Sequence, residues 1–258
     1  MEQSGTSTRL ADAVQGLTSE LVSALRSGGP FGLAGSVPGA GGPEAADGLT
    51  LAAVRVVGAD AVLPNVLRGG PPAPDDLAVF SGAVHAYPPP ADASPTSAWS
   101  HWAMKRTLLR LGGTADTSSP ASSGTSSDAP RHGTPGHNGS AGQGAEPRAA
   151  WLDGASWQSL THQLAVLAPL AVPGGDCAVA RVARDRPVDV ARGFVRAVRR
   201  RDWLQAAGAG RWLVLLDGVP DTLGLEAGLA FVAQMGSADP RVQLQVEAAR
   251  LMRTGAPV

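Results

Sequence analysis

The chain has 258 residues, 43% of them apolar, with 21 basic and 22 acidic side chains and a formal net charge of −1. That apolar content suffices for a core, and a charge so close to zero excludes a global field that would steer nucleic acid or anionic membrane toward the protein. The lone cysteine, Cys177, excludes an intramolecular disulfide and a thiolate zinc site.

The first residues, MEQSGTSTRLADAV, lack a basic stretch followed by an apolar one, so no secretory signal is expected. Leu164 to Val172 reads as the longest nearly apolar run, and Pro169 breaks it. It is too short to span a bilayer. A soluble cytoplasmic protein with no membrane partner is expected. The apolar set is mostly Ala, Val and Leu, without Ile, and one Lys (Lys105) stands against twenty Arg. That bias fits a GC-rich genome and makes Arg abundance weak evidence for Arg-specific chemistry.

The first predicted helix carries Leu10, Val14, Leu17, Leu21 and Leu25 on one face, with Asp12, Gln15, Ser19 and Arg26 opposite. Gly28 and Gly29 end it. A Gly/Pro-rich loop follows to about Gly48. It is no phosphate loop, because it follows a helix and lacks the terminal Lys-Ser/Thr. Leu49 to Val57 (LTLAAVRVV) fits a short strand or a helix. Pro74-Asp75-Asp76 starts a helix bearing Leu77, Phe80 and Val84, its acidic residues at the positive end of the dipole. Pro88 to Pro90 end it. Ser94-Pro95 caps and opens the next helix. That helix has two apolar stripes, Met104/Leu108/Leu111 and Ala98/Trp102/Leu109, the pattern of a helix sandwiched between neighbours.

From Gly112 to Ala149 the chain has no Leu, Ile, Val, Phe, Met or Trp. Such a stretch buries too little to offset its ordering entropy, so a disordered insert is expected. Trp151 to Ala168 reads as a helix carrying Trp157, Leu160, Leu164 and Leu167. Four of the six tryptophans (Trp99, Trp102, Trp151, Trp157) flank the insert, so the flanking helices are expected to pack on each other. Lengthening a loop from twenty to forty residues adds only about 0.6 kcal/mol to its closure.

Cys177 to Arg184 is ambiguous. Pro187 to Arg201 reads as a helix with Val190, Ala191, Phe194, Val195 and Val198 on one face. Gly208 and Gly210 then read as a break, bracketed by Trp203 and Trp212. Arg211 to Asp217 (RWLVLLD) fits a buried strand or a helical turn. Asp221 reads as the cap of a helix bearing Leu225, Leu229, Val232 and Met235, beside which Gly224 and Gly228 permit close approach. Asp239-Pro240 opens the last helix, broadly apolar through Val242, Leu244, Val246, Ala248, Leu251 and Met252. No internal repeat is present.

The fold class expected is therefore mainly α: a helical bundle-like globule with at most one or two short strands, interrupted by a disordered Gly/Ser/Pro-rich insert. Residues 1–111 are expected to form an N-terminal helical half, 112–149 the insert and 150–258 a C-terminal half sharing one core with the first, two independent bundles being the alternative.

The functional lead is a basic face. Arg192, Arg196, Arg199 and Arg200 lie opposite the apolar stripe of the 187–201 helix. Between Arg181 and Arg211 nine Arg face three Asp, a local charge of +6. Such a surface suits phosphates or an acidic partner; a solvated helix face has the same composition. The histidines lack zinc spacing: His132 and His137 lie in the insert, and His85, His101 and His162 are far apart. Cys177 reads as a buried structural residue, with Arg181 and Arg184 near enough in sequence to lower a thiol pKa. The sequon at Asn138 reads as chance. Asp217 and Asp221 are the one carboxylate pair placed for acid–base work, and each also has a structural role. No catalytic, cofactor or metal motif emerges, and no Ser sits in a nucleophile elbow. The expectation is a non-catalytic interaction protein with a protein partner. A nucleic-acid-binding regulator using the basic face stands second, and an enzyme with a site near Asp217 and Asp221 third.

Overall fold

A computed structural model of the chain describes residues 2–33, 48–113 and 145–255. Helices account for the secondary structure, and no strand is present among the described residues. Helix α1 (Glu2–Ser27) buries Leu17, Leu21 and Leu25 on the face that their spacing predicts. Gly28, at φ 71°, closes it by donating to the Ala24 carbonyl at 3.0 Å.

The ambiguous LTLAAVRVV segment is helical, as α2 (Gly48–Val57). A 3₁₀ turn (Gly58–Val62) and α3 (Leu63–Arg68) follow. Gly48–Arg68 is long and apolar enough to cross a membrane by length and composition, and 56% of that window is buried inside the protein. Helix α4 (Pro74–Ala86) starts at its proline with Asp75 and Asp76 in the first turn. Helix α5 (Pro95–Gly113) starts where Ser94 Oγ accepts the Ser97 N–H. Its expected second stripe is only partial. Trp102 is half-buried, but Leu109 is 68% exposed.

The C-terminal elements are α6 (Ala150–Asp153), α7 (Trp157–Val166), a 3₁₀ turn (Ala168–Leu170), α8 (Ala178–Asp185), α9 (Pro187–Arg199), α10 (Trp203–Leu213), a 3₁₀ turn (Asp221–Leu223), α11 (Leu225–Met235) and α12 (Pro240–Arg253). Side-chain caps set several starts: Ser156 for α7, Asp202 for α10 and Asp239 for α12 each accept a backbone N–H, satisfying a donor that the helix leaves unpaired. Between α9 and α10 the chain reverses at Arg201, a non-glycine at φ 59°, and the Asp202 N–H reaches back to the Ala197 carbonyl.

Three expectations fail in α10 and α11. Gly208 and Gly210 do not break the chain; they lie inside α10, whose last turn, Arg211–Leu213, is the helical alternative for the RWLVLLD run. Their job is close approach. A methyl on Gly208 would stand 2.8 Å from the Ala165 carbonyl oxygen, and one on Gly210 would meet Leu229 and Phe194. Asp221 does not cap α11. It opens the short turn, and Gly224, at φ 57° and with nothing within 4 Å, precedes α11 without a side-chain cap. Of the two glycines expected to permit close approach there, Gly228 alone does, against the Phe194 ring.

With residues 206–213 all buried, α10 is the central helix. It packs on α7, α9, α11 and α12, and α12 packs in turn on α1. Buried apolar side chains from both sides of residues 114–144 belong to one contiguous cluster, in which Leu17, Phe80 and Trp99 join Leu164, Trp212 and Val246.

The expected insert spans 112–149. Its residues 114–144, with His132, His137 and the Asn138 sequon, lie outside the described residues, as do residues 34–47 of the Gly/Pro-rich loop. Its two ends are structured. Gly112 and Gly113 belong to α5. The Arg148 carbonyl accepts both the Trp99 and the Trp151 indole N–H, at 3.2 and 3.1 Å. The Glu146 carboxylate accepts the Ala178 N–H at the start of α8. Trp102 stacks edge-on against Trp99 at 5.1 Å. Two of the four flanking tryptophans thus meet at one carbonyl and Trp102 packs on one of them, while Trp157 serves a different surface.

Candidate functional site

Helix α9 begins with Pro187 at its first position and Asp189 in its first turn, and it buries Val190, Ala191, Phe194 and Ala197. The 3.6-residue period then sends Arg192, Arg196 and Arg199 to solvent. Arg200 is the C-cap residue. All four line one groove of about 720 Å³, bounded by Trp157 of α7 and by the Pro220–Leu223 turn. The Arg196 guanidinium lies 5.5 Å from the Trp157 ring centroid, within cation–π reach. Arg192 Nη1 is 3.5 Å from Asp189 Oδ1. Arg199 and Arg200 have no acidic partner among the described residues. Between the arginines the groove is apolar: Trp157, Val195, Leu223 and Val188, the last 44% exposed.

The +6 count from Arg181 to Arg211 overstates this face, because four of the other five arginines, all but Arg201, are spent elsewhere. Arg181 and Arg184 both hold the Asp176 carboxylate, which drops below its usual range, first through the hydrogen bond from Arg184. Arg186 grips Asp189 Oδ2 at 2.7 and 2.9 Å and donates to the Ala155 carbonyl.

Arg211 is buried in the centre of the molecule. Its Nη1 lies 2.9 and 2.8 Å from the two Asp60 oxygens and 2.8 Å from Gln245 Oε1, and its Nε donates to the Ala171 carbonyl at 3.0 Å. Gln245 Nε2 completes the cluster by donating to Asp60 Oδ2 at 2.9 Å. Three acceptors thus share the two protons of Nη1, while Nη2 has no partner. Sequence reasoning missed this network. The signal was there: Asp60 and Arg211 are lone charges in otherwise apolar runs, and a charge buried in such a run needs an opposite charge.

The three described histidines do not meet. His85 Nδ1 pairs with the Ser81 carbonyl at 2.8 Å, and His162 Nδ1 with Gln205 Oε1 at 3.3 Å. His101 Nδ1 is buried without a partner. Burial, then the charges of Arg55, Lys105 and His85, push the His101 imidazole below its ordinary 6.5. The fold therefore favours the neutral ring and binds fewer protons than the unfolded chain as pH falls below about 6.5, so stability is full above that pH and declines through the lowered value. His101→Asn is expected to lose less of its urea midpoint than the wild type between about pH 7 and 5. An equal loss in the two proteins would contradict this assignment.

Cys177 is buried, and its Sγ accepts the Ala180 N–H as the cap of α8. Burial pushes the thiol up, and the opposing arginine charge comes from Arg106 rather than from Arg181 or Arg184. Asp217 and Asp221 are both exposed around the turn before α11 and share no hydrogen bond among the described residues. Among those residues no three His, Cys, Asp or Glu side chains come together to hold a metal ion. Comparison with protein-family models, with curated proteins and with solved structures yields no match to this chain.

Proposed function

We propose that this chain is a non-catalytic cytoplasmic interaction protein whose recognition surface is the α9 groove, and that its partner is an acidic, amphipathic helical segment of another protein. One observation carries the reading: Arg192, Arg196, Arg199 and Arg200 all border a single groove whose floor is apolar. An amphipathic helix meets both demands, with apolar anchors on the floor and carboxylates against the arginines. Complementary charge then sets orientation and encounter rate, and the desolvated floor supplies affinity.

Nucleic acid is the second reading. It uses the same arginines, but a phosphate backbone leaves Trp157, Val188 and Leu223 uncovered. An enzyme acting through Asp217 and Asp221 draws no support from their exposed placement.

The test is fluorescence anisotropy with a synthetic helix bearing a Leu/Trp face and a Glu face, set against random duplex DNA and single-stranded RNA. The peptide is expected to bind, to weaken with salt, and to lose at least about tenfold in affinity, about 1.4 kcal/mol, on Arg196→Glu. Nucleic acid bound more tightly than the peptide, with the same Arg196→Glu sensitivity, would transfer the surface to the second reading. Peptide binding unchanged by Arg196→Glu would remove the groove from the account.

A further inference from the structure

A second concavity lies on the seam between the two halves of the chain. It is a partly enclosed cavity of about 200 Å³, set between the 58–62 turn, α3, α5 and the loop that leads into α8. Ala59, Leu63, Val66, Ala103 and Leu170 make its apolar walls. The Asp60 carboxylate lines it at 2% side-chain exposure and is neutralised from behind by Arg211. Two more guanidiniums lie on the α5 side. Arg106 stands 5.1 Å over the Trp102 ring and donates to the Asp176 carbonyl. Arg110 lines the cavity with no acceptor among the described residues.

Three guanidiniums against one carboxylate leave this cavity with a surplus of positive charge. Two other carboxylates lie near its rim and both are already engaged: Asp176 by Arg181 and Arg184, and Glu146 by the Ala178 N–H and Arg181. Water satisfies an exposed guanidinium, but it gains nothing from the apolar walls behind it. A ligand that fits both has an anionic end and a short hydrocarbon body. Small-molecule sites share this makeup: mostly apolar walls with a few placed polar groups.

We infer that this cavity binds a small organic monocarboxylate, its carboxylate held by Arg110 and Arg106 and its apolar body against Leu63, Val66, Ala103 and Leu170. A planar guanidinium presents paired donors that match a carboxylate's two oxygens. The volume limits the ligand to about six to ten heavy atoms, below the size of common drug-like ligands. The site is separate from the α9 groove, and neither depends on the other.

The thermal midpoint is the first readout, and alkylation of Cys177, the chain's single thiol and a buried lining residue of the same cavity, is the second. Benzoate and hexanoate serve as probes, with benzamide and hexanamide as uncharged counterparts and sodium chloride at matched ionic strength as the salt control. The full-length protein is titrated while the alkylation rate of Cys177 by iodoacetamide and the thermal midpoint are followed. At least one carboxylate is expected to slow alkylation severalfold and to raise the midpoint with concentration, with the amides inert. Arg110→Gln, on the exposed rim, is expected to fold normally and to weaken binding at least about tenfold. Ala103→Leu, which fills the cavity, is expected to abolish the effect. If Ala103→Leu does not fold, Arg110→Gln decides alone. A thermal midpoint raised by neither carboxylate would overturn the inference. Protection by amides equal to that by carboxylates would also do so, as would protection that survives Arg110→Gln.

Discussion

Asp60→Ala is expected to destabilise the protein by about 3–5 kcal/mol, the cost of leaving a buried guanidinium without its counter-ion. The Asp60 and Arg211 side chains are 2% and 0% exposed. Removing the carboxylate leaves Arg211 with the Ala171 carbonyl and Gln245 Oε1 as acceptors, while its Nη2 is already unpartnered. The low dielectric that strengthens the intact pair makes the orphaned charge expensive. Urea denaturation of the full chain measures the loss. Replacing both partners, as in Asp60→Leu with Arg211→Met, is expected to recover much of it, because paired buried ions are often little better than apolar residues of similar size. A single-variant loss below about 1 kcal/mol would mean that the network is hydrated or rearranged, since breaking a buried pair costs several times that.

Gly193→Ala is the second large effect. A methyl on Gly193 would overlap Thr161 Oγ1, Cγ2 and Cβ, all well inside the 3.0 Å approach that real Cβ atoms keep. Thr161 cannot move aside easily. It is fully buried, and its hydroxyl donates to the Trp157 carbonyl at 2.8 Å. Helices α7 and α9 must therefore separate, at a cost of about 3 kcal/mol, the upper range for overpacking. The same movement would shift Trp157 against Arg196, so the variant is expected to bind the acidic helix more weakly as well as to unfold earlier. Thr161→Gly in the same chain removes the clashing atoms and is expected to restore part of the stability. The denaturation midpoints of the single and double variants check this. A Gly193→Ala protein as stable as the wild type would show that α7 and α9 are not this close.

These two effects also show where the sequence was readable. The starts of α4, α5, α9 and α12 followed from Pro74, Ser94-Pro95, Pro187 and Asp239-Pro240, because capping and first-turn chemistry is local. The face of α1 followed from its period. Leu49–Val57 and Arg211–Asp217 stayed ambiguous because both runs are apolar almost throughout, even at positions that solvent reaches such as Val56, so no polar face sets a period. Gly208 and Gly210 read as a break because local propensity disfavours glycine in helices; the neighbours that make them useful, Ala165 of α7 for Gly208 and Phe194 of α9 with Leu229 of α11 for Gly210, lie on other helices.

The candidate site divides the same way. Arg192, Arg196, Arg199 and Arg200 were visible as one face, since they share one helix. That Trp157, Pro220 and Leu223 complete a groove with them is tertiary information. Arg211 entered the count of basic residues although it lies in the interior, because a linear tally of charge carries no depth. The run from Arg211 to Leu216, with one charge among apolar neighbours, was the available clue, and Asp60 in its own apolar run was its counterpart.

The central claim is that residues on either side of 114–144 build one interior, locked by Asp60, Arg211 and Gln245. Cutting the chain at residue 130 and coexpressing the fragments tests it most directly. The account predicts that 1–130 and 131–258 co-purify as a folded complex, and that Asp60→Ala prevents it. Fragments that elute apart, each folded by itself, would contradict it.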